Sequence, residues 1–339
     1  MTSTDPTATV VSGIQPSGTL HIGNYFGALR QHLRLHTQQE AFYFIVNYHA
    51  LTTVRDAEAL ERYSLDVALD YLALGFDPEE ALLFLQSDVP AVTELAWILL
   101  CLTPVSHLEK GVSYKDKVAQ GIPANAGLLT YPILQAADIL IYRKRGAGLL
   151  VPVGKDQKQH IEMTRDVAAR FNQAFCPEDE PLFPLPEPLI LDDVAVVPGV
   201  DGRKMSKSYD NTIGIFEAGK PLKKTVMGIV TDSTPLEEPK DPEADNVFAL
   251  IKLFADDAKR EEIAAAYRAG GYGYGHAKKE LLGLVTDYFA EARERRKDLA
   301  ERPDYVRDVL RDGAARANVR VDEVMAVVRA RTGLVSTAR

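Results

Sequence analysis

The chain has few cysteines, and this scarcity excludes two kinds of site. Cys101 and Cys176 are the only cysteines among its 339 residues. The pair forms neither a metal-ligand spacing nor a disulfide framework, and no other all-protein metal site is visible. We therefore expect a protein of the reducing cytoplasm.

Long apolar runs and net positive charge are also missing. No stretch reaches the roughly 18 apolar residues of a membrane span, and residues 1–9 lack the apolar core of a signal peptide. The formal net charge of −9 argues against a general nucleic-acid binder, since such proteins usually have a basic domain. A local basic surface would still be enough for one RNA partner. We expect no membrane contact.

Apolar sequence is abundant, and in the first half it alternates between two patterns. Hydrophobic residues make up 46% of the chain and charged residues 26%, which is ample core for one large domain or two. The β-rich runs lie at 10–14, 42–46, 82–86 and 149–153, and the helical patterns at 57–74, 92–102 and 128–142. This alternation predicts an α/β fold with a Rossmann-like, doubly wound parallel sheet. In such folds ligands bind outside the carboxyl ends of the strands.

The second half is mainly helical. Residues 176–188 are rich in proline and acids and predict a surface excursion. Helices are expected near 246–254, 259–269, 276–300 and 305–332. We predict a catalytic domain over residues 1–208, with inserted helices, and a helical C-terminal domain over residues 209–339.

Two short blocks indicate nucleotide chemistry. His21-Ile22-Gly23-Asn24 follows an apolar strand and a Pro/Gly turn and precedes an amphipathic helix over about 23–35, an arrangement that favours anionic groups. Lys204-Met205-Ser206-Lys207-Ser208, here called the lysine loop, places two cations three residues apart. Alone, the first block could be a local helix cap and the second a solvated surface.

A polar stripe marks the helix predicted at 128–142. Tyr131, Gln135 and Asp138 follow the spacing i, i+4, i+7 and so share one face of an otherwise apolar helix. A buried carboxylate without a partner is costly. The stripe is therefore either a polar network that fixes helix packing or the floor of a binding pocket.

The two blocks resemble the HIGH-type and KMSKS signatures of the class I aminoacyl-tRNA synthetases. Other segments, in the same order, resemble the bacterial tryptophanyl branch: 13–18, 23–30, 127–132, 136–140 and 151–160. The likeness is dense from Val10 to Ser208 and thinner beyond. It implies an ATP-dependent aminoacyl-tRNA ligase that makes tryptophanyl-adenylate, releases pyrophosphate and charges tRNA(Trp), with Mg²⁺ entering on the phosphates.

The resemblance also implies roles for individual residues. The residues implied to act catalytically at the phosphates are Lys204, Lys207, Lys117 and His21. Contacts with ATP fall to Gln15, Pro16, Ser17, Gly23, Asn24, Gly154, Lys155, Asp156, Val196, Lys204, Met205, Ser206, Lys207 and Ser208. Contacts with tryptophan fall to Asp138, Tyr131, Gln135, His49, Gln157, Val151 and Val153.

The sequence leaves more than one substrate and more than one activity open. An ionised Asp138 is an acceptor only and suits the single N–H of indole, but a tyrosine hydroxyl could also donate to it. A tyrosyl-tRNA synthetase or an inactive synthetase paralogue acting as a binding module therefore stays open. A small nucleotidyltransferase would explain the first block but not the second.

The resemblance further implies a homodimer, a tRNA-binding surface and an anticodon-binding role for the helical domain over residues 209–339. Residues 92–110 are apolar over more than one helical stripe, which fits either a subunit interface or burial in the core. The basic residues between Arg293 and Lys297 are either a solvated helix face or a contact for the tRNA backbone.

Overall fold

A five-stranded parallel sheet forms the centre of the molecule. The computed structural model describes residues 8–16, 18–109, 125–154, 158–189 and 197–334. Within them the strand order is β3-β2-β1-β4-β5, and every neighbouring pair is parallel. The strands are β1 Thr9–Ile14, β2 Ala41–Ile45, β3 Leu82–Leu85, β4 Leu149–Pro152 and β5 Glu187–Leu189. The predicted fold class is confirmed.

Helices cover both faces of this sheet. In the first half they are α1 Ile22–Asn24, α2 Arg30–Leu35, α3 Asn47–Ala50, α4 Ala57–Ala73, α5 Ala91–Cys101, α6 Val105–Leu108, α7 Ala126–Leu140 and α8 Lys158–Phe175. In the second half they are α9 Gly219–Met227, α10 Asn246–Phe254, α11 Asp257–Ala269, α12 Tyr274–Tyr288, α13 Ala290–Ala300 and α14 Pro303–Thr332. None of these helices is both long enough and apolar enough to cross a membrane.

Three predictions of local structure need correction. The segment 176–188 is not only a surface excursion, because it runs into β5, a three-residue edge strand whose proline gives no β signal. The helix predicted at 23–35 is interrupted by a π-helical turn, Tyr25–Leu29. The helix predicted at 276–300 is two helices, which part at Phe289, where φ is −103° and ψ is 10°. The Phe289 ring is buried among neighbouring aromatic rings, which accounts for the break.

The strand side chains alternate between two apolar layers. Val10, Tyr43 and Leu83 point into the layer that holds α4 and the C-terminal helices. Val11 and Phe44 point into the layer that holds α5, α7 and α8. This period of two is what a sheet covered on both faces requires.

Helix α14 joins the second half of the chain to this sheet. It packs against β3, and Gly313 marks the crossing, since a Cβ there would lie 2.2 Å from the Leu83 carbonyl oxygen. The edge of the sheet is thereby covered by a helix. The domain boundary at residue 208 stays a prediction, and α14, which lies beyond that boundary, rests on the sheet.

Candidate active site

A cavity of about 440 Å³ opens at the carboxyl ends of β1 and β4. These strands are neighbours at the point where the strand order reverses, which is where open α/β sheets bind ligands. Gln15 and Gly154, both predicted at the ATP site, line the cavity. The volume lies in the usual range for small-molecule sites.

The polar stripe of α7 lies in this cavity. Tyr131, Gln135 and Asp138 all line it, as the helical spacing predicts. The other described residues predicted to contact tryptophan line it too: His49, Val151 and Val153. The assignment of each to a ligand stays a prediction, but the structure brings them together around one space.

Asp138 is held by two partners from other elements. The Gln86 side-chain nitrogen donates to both carboxylate oxygens, at 2.9 Å and 2.7 Å. His49 Nε2 lies 2.9 Å from Asp138 Oδ2. Burial raises the pKa of the Asp138 carboxyl, and the hydrogen bonds from His49 and Gln86 oppose this rise. The carboxylate therefore belongs to a buried polar network and also lies on the cavity wall.

Gln86 and His160 are site residues that the sequence reasoning missed. Gln86 is fully buried, and its side-chain oxygen accepts from the Tyr48 backbone nitrogen at 3.0 Å. His160 lines the cavity, with its Nε2 2.8 Å from the Tyr131 hydroxyl. A signal for Gln86 was available: it is a polar residue directly after β3, at the carboxyl edge of the sheet.

His21 caps the first helix and stays uncharged. Its Nδ1 accepts from the Asn24 backbone nitrogen at 3.3 Å, and its own backbone nitrogen donates to the Asn24 side-chain oxygen at 3.1 Å. Burial, and secondarily the charge of Lys207, lower the pKa of His21 to about 4. Because Nδ1 accepts, the proton of the neutral ring is on Nε2, which can donate to an anion. The local-cap and functional interpretations of His21 are therefore compatible.

The two signature blocks meet in the folded chain. The Ile22 backbone nitrogen donates to the Ile213 carbonyl at 3.0 Å, and His21 forms an antiparallel bridge with Gly214. A Cβ on Gly23 would lie 2.9 Å from the His21 ring and 3.3 Å from the Cβ of Met205. Glycine at position 23 therefore leaves room for the His21 ring and for the close approach of the lysine loop.

Asn211, also missed by the sequence reasoning, fixes the lysine loop. Its side-chain oxygen accepts from the Ser206 backbone nitrogen at 2.8 Å, and its nitrogen donates to the Lys204 carbonyl at 3.1 Å and to Asp201 at 2.7 Å. Within the loop Met205 is buried, Lys207 is half-buried and Lys204 is exposed. The side chain of Lys207 is therefore less exposed to solvent than that of Lys204.

The remaining predicted site residues either lie away from this cavity or lie outside the described residues. The described residues among them that do not line the 440 Å³ cavity are Pro16, His21, Gly23, Asn24, Lys204, Met205, Ser206, Lys207 and Ser208. The phosphate site predicted from them therefore lies outside that cavity. Ser17, Lys117, Lys155, Asp156, Gln157 and Val196 lie outside the described residues.

Comparison with known proteins decides the family. The sequence model described as "tRNA synthetases class I (W and Y)" matches residues 3–290. The chain belongs to this family. The predicted resemblance to the bacterial tryptophanyl branch is confirmed by the relatives of this synthetase.

Two curated relatives and one solved structure are similar to the synthetase over nearly its whole length. A tryptophan–tRNA ligase of Fusobacterium nucleatum is 54% identical over 325 residues, which cover 96% of this chain and 98% of the relative. One from Rhodopirellula baltica is 51% identical, covering 96% and 99%. The tryptophanyl-tRNA synthetase of Campylobacter jejuni, crystallised with ADP and tryptophan, superposes with a TM-score of 0.88 at 48% identity and covers 96% of this chain and 100% of that one.

The arginines of the basic cluster make contacts within the synthetase chain. Arg293 is 7% exposed and donates to the Ile215 carbonyl at 3.1 Å. Arg295 donates to the Ala73 carbonyl at 2.7 Å, and Arg296 pairs with buried Asp70. Of the cluster's three arginines and one lysine, only Lys297 is mostly exposed, and it pairs with Glu294. The solvated-face interpretation is wrong for buried Arg293, whereas the contact with the tRNA backbone stays a prediction. The three arginines hold α13 against α4 and the segment after the lysine loop.

Proposed function

We propose that the chain is a tryptophan–tRNA ligase that activates L-tryptophan with ATP and transfers it to tRNA(Trp). The observation that carries this proposal is the buried acceptor Asp138 in the wall of the cavity. The relatives named for this activity, and the ADP and tryptophan in the Campylobacter jejuni structure, support it.

The hydrogen-bonding capacity of Asp138 suits a substrate side chain with one donor, and the relatives named for tryptophan favour indole over the tyrosine hydroxyl as that donor. A carboxylate has about four lone-pair sites, and the Gln86 and His49 contacts use three of them, two of these on Oδ2. One site on Oδ1 remains, which matches the single donor of indole. Apolar walls from Phe44, Val46 and other residues suit the rest of the ring.

Activation takes place at the phosphate end of the site. The tryptophan carboxylate attacks the α-phosphorus of ATP, an oxygen–phosphorus bond forms, and the bond to the departing pyrophosphate breaks. No covalent enzyme intermediate is needed. Neutral His21 donates from Nε2 to a phosphate oxygen, while Lys204 and Lys207 neutralise the charge that develops on pyrophosphate.

Mg²⁺ belongs to the proposal as a companion of ATP. The described residues contain no group of three or more His, Cys, Asp or Glu side chains that could hold a metal ion. Phosphate oxygens and water are the ligands that Mg²⁺ prefers at such sites. The protein residues named above act on the phosphates directly.

The proposal also includes a cytoplasmic homodimer that binds tRNA. Support for the dimer comes from α5, where Ile98 and Leu99 are buried but Trp97 is 68% exposed. Val105, in the neighbouring helix α6, is 61% exposed. Large apolar side chains left at the surface near a buried helix face are typical of a subunit interface.

Amino-acid-dependent ATP–pyrophosphate exchange tests the proposed function. The purified chain is assayed separately with each of the twenty amino acids, and charging of tRNA(Trp) is measured with the amino acid that supports exchange. Exchange with tryptophan alone is expected. Exchange with tyrosine instead would reassign the substrate, and no exchange with any amino acid would favour an inactive paralogue.

A further inference from the structure

Helix α9 carries three lysines on one solvent-facing side. Lys220, Lys223 and Lys224, here called the α9 stripe, follow the spacing i, i+3, i+4 and are all exposed. The opposite side of the helix is fixed in the core by Leu222 and Val226, which are buried. The anchored apolar side therefore keeps the three ammonium groups in solvent.

The α9 stripe has no counter-charge within the described chain. Among the described lysines after residue 209, the three of the stripe and Lys279 make no ion pair or hydrogen bond. The others pair with a carboxylate or donate to a backbone carbonyl. Glu217, two residues before α9, accepts from the Thr225 hydroxyl at 3.4 Å instead of pairing with the stripe. A chain of net charge −9 thus has a concentrated positive charge on this helix.

These lysines oppose the stability of their own helix. Lys220 lies in the first turn of α9, where the helix dipole favours acidic side chains, and that turn contains none. Lys220 also repels Lys223 and Lys224, because residues three or four apart on a helix are neighbours. A bound polyanion would relieve both unfavourable interactions.

The packed neighbour of α9 adds further basic residues. Helix α12 packs against α9, and Lys278 Nζ donates to the Met227 carbonyl, at the end of α9, at 3.1 Å. The next residue of α12, Lys279, is exposed. Basic side chains therefore lie on both helices of this pair.

The backbone fixes α9 relative to the first signature block. Only residues 209–218 separate the lysine loop from α9. In this segment the Ile213 carbonyl accepts from the Ile22 backbone nitrogen at 3.0 Å, and the Ile215 backbone nitrogen donates to the Leu20 carbonyl at 3.2 Å. A molecule bound to the α9 stripe is therefore held in a defined position relative to the predicted phosphate site.

We propose that the α9 stripe is an RNA-binding surface that contacts the phosphodiester backbone of tRNA through charge and does not read bases. The proposal rests on the proposed function for the identity of the RNA. Lysine is a flexible point charge suited to phosphate oxygens, and such contacts supply affinity and orientation but no sequence information. The arginines of the basic cluster on α13 are already bonded within the chain, whereas the ammonium groups of the stripe are open to a partner.

Neutralising the α9 stripe tests this surface. In the triple variant Lys220→Gln/Lys223→Gln/Lys224→Gln, the Kd for tRNA(Trp), measured by filter binding at low ionic strength, is expected to rise about tenfold or more. The slope of log Kd against log salt concentration should become shallower by about 2, since each lost phosphate contact removes roughly 0.7–0.9. A Kd within about twofold of the wild-type value would overturn the proposal.

A matched control removes the same formal charge from other helices. Arg268, Arg307 and Arg311 are exposed, and each pairs with a carboxylate. Changing all three to glutamine is expected to keep the Kd for tRNA(Trp) within about twofold, because these cations are already compensated. Equal losses in the two triple variants would mean that only net charge matters, and the proposal would fall.

A charge-preserving variant separates charge from fold. Lys220→Arg/Lys223→Arg/Lys224→Arg is expected to bind tRNA(Trp) within about twofold of the wild type, because the phosphate contacts keep their cations. A loss as large as that of the glutamine variant would overturn the electrostatic role. Thermal unfolding of all variants checks their folds, and the solvated stripe predicts no decrease in Tm.

Two other ligands test the chemistry of the partner. An unrelated tRNA should lose affinity for the glutamine variant by a factor similar to that of tRNA(Trp), because backbone contacts are independent of sequence. A loss confined to tRNA(Trp) would mean base recognition and would overturn the backbone contact. Vesicles containing phosphatidylserine that bind the wild type but not the glutamine variant, with the Kd for tRNA unchanged, would assign the stripe to a membrane instead.

This proposal and the proposed function fail in different ways. If the wild-type chain shows no tryptophan-dependent pyrophosphate exchange, the proposed function is lost, yet filter binding still reports whether the α9 stripe holds RNA. If exchange and charging are normal and the glutamine variant binds tRNA like the wild type, the function stands and the RNA-binding surface falls.

Discussion

Asp138 is part of a buried polar network and is also the proposed acceptor for the substrate. Its carboxylate is the shared acceptor for Gln86 and His49 and also faces the cavity. Removing it deletes the acceptor for the substrate and leaves the Gln86 amide without its partner. Sites that recognise a substrate by a buried hydrogen bond lose much of their selectivity when that bond is lost.

Asp138→Ala is therefore expected to lower the ratio of kcat/KM for tryptophan over phenylalanine in pyrophosphate exchange about tenfold or more. The KM for ATP should change less than about twofold, because the phosphate end of the site is untouched. Thermal unfolding of the variant checks that the fold survives. A ratio equal to that of the wild type would place the indole contact elsewhere.

His21 gives a pH dependence whose sign follows from its lowered pKa. An unfolded histidine titrates near pH 6.5, whereas burial and Lys207 lower the pKa of folded His21 to about 4. Between these two values the unfolded state binds a proton that the folded state does not. The contribution of His21 to stability is therefore present at pH 7 and is lost as the pH falls from about 6.5 towards 4.

Urea unfolding at pH 7 and pH 5 checks this in a matched pair. His21→Asn retains a capping side chain but has no titrating group. The wild type is expected to lose more of its unfolding free energy between the two pH values than the variant does. Equal losses would mean that His21 titrates normally in the folded chain.

At the scale of elements, α14 crosses β3 at Gly313, a position that has no room for a Cβ atom. Glycine inside a helix usually costs about 0.5–1 kcal/mol relative to alanine. At Gly313 this preference is reversed, because an added Cβ would meet the Leu83 carbonyl oxygen at 2.2 Å. In α12, Gly283 is exposed and has no atom within 4 Å of an added Cβ.

Gly313→Ala is accordingly expected to lower the unfolding free energy by about 1–3 kcal/mol, the usual cost of overpacking. Gly283→Ala is expected to raise it by about 0.5–1 kcal/mol. Chemical denaturation of both variants measures the two effects. The same sign in both would show that α14 does not press on β3.

Elements were predicted from sequence more reliably than the contacts between them. The strand at Thr9–Ile14 and the stripe of Tyr131 and Asp138 follow from periodicity within one segment. The bond from Gln86 to Asp138 joins residues 52 apart and exists only after folding. The contacts that Arg293, Arg295 and Arg296 make within the chain were missed for the same reason: a charge run on one helix does not reveal that other segments bring carboxylate and carbonyl groups to meet it.

At the scale of the whole molecule, the proposed dimer depends most on Trp97, whose indole is 68% exposed. Trp97→Glu is expected to weaken the dimer at least about tenfold, because a charge placed in an apolar interface must be desolvated. Val319→Glu is the control, since Val319 is 64% exposed on α14. Sedimentation equilibrium of both variants measures the change. A wild-type chain that is monomeric at micromolar concentration would contradict the proposed dimer.

The return of α14 to β3 also has a consequence for synthesis on the ribosome. β3 is made early, and the helix that covers it is made only after most of the remaining chain. Until then the nascent sheet presents an unpaired edge, which is a template for pairing with another chain. A chain stalled on the ribosome before Pro303 thus has a sheet whose edge at β3 is still uncovered. Limited proteolysis of such a stalled chain should cut in or beside β3, whereas the full-length chain should resist there.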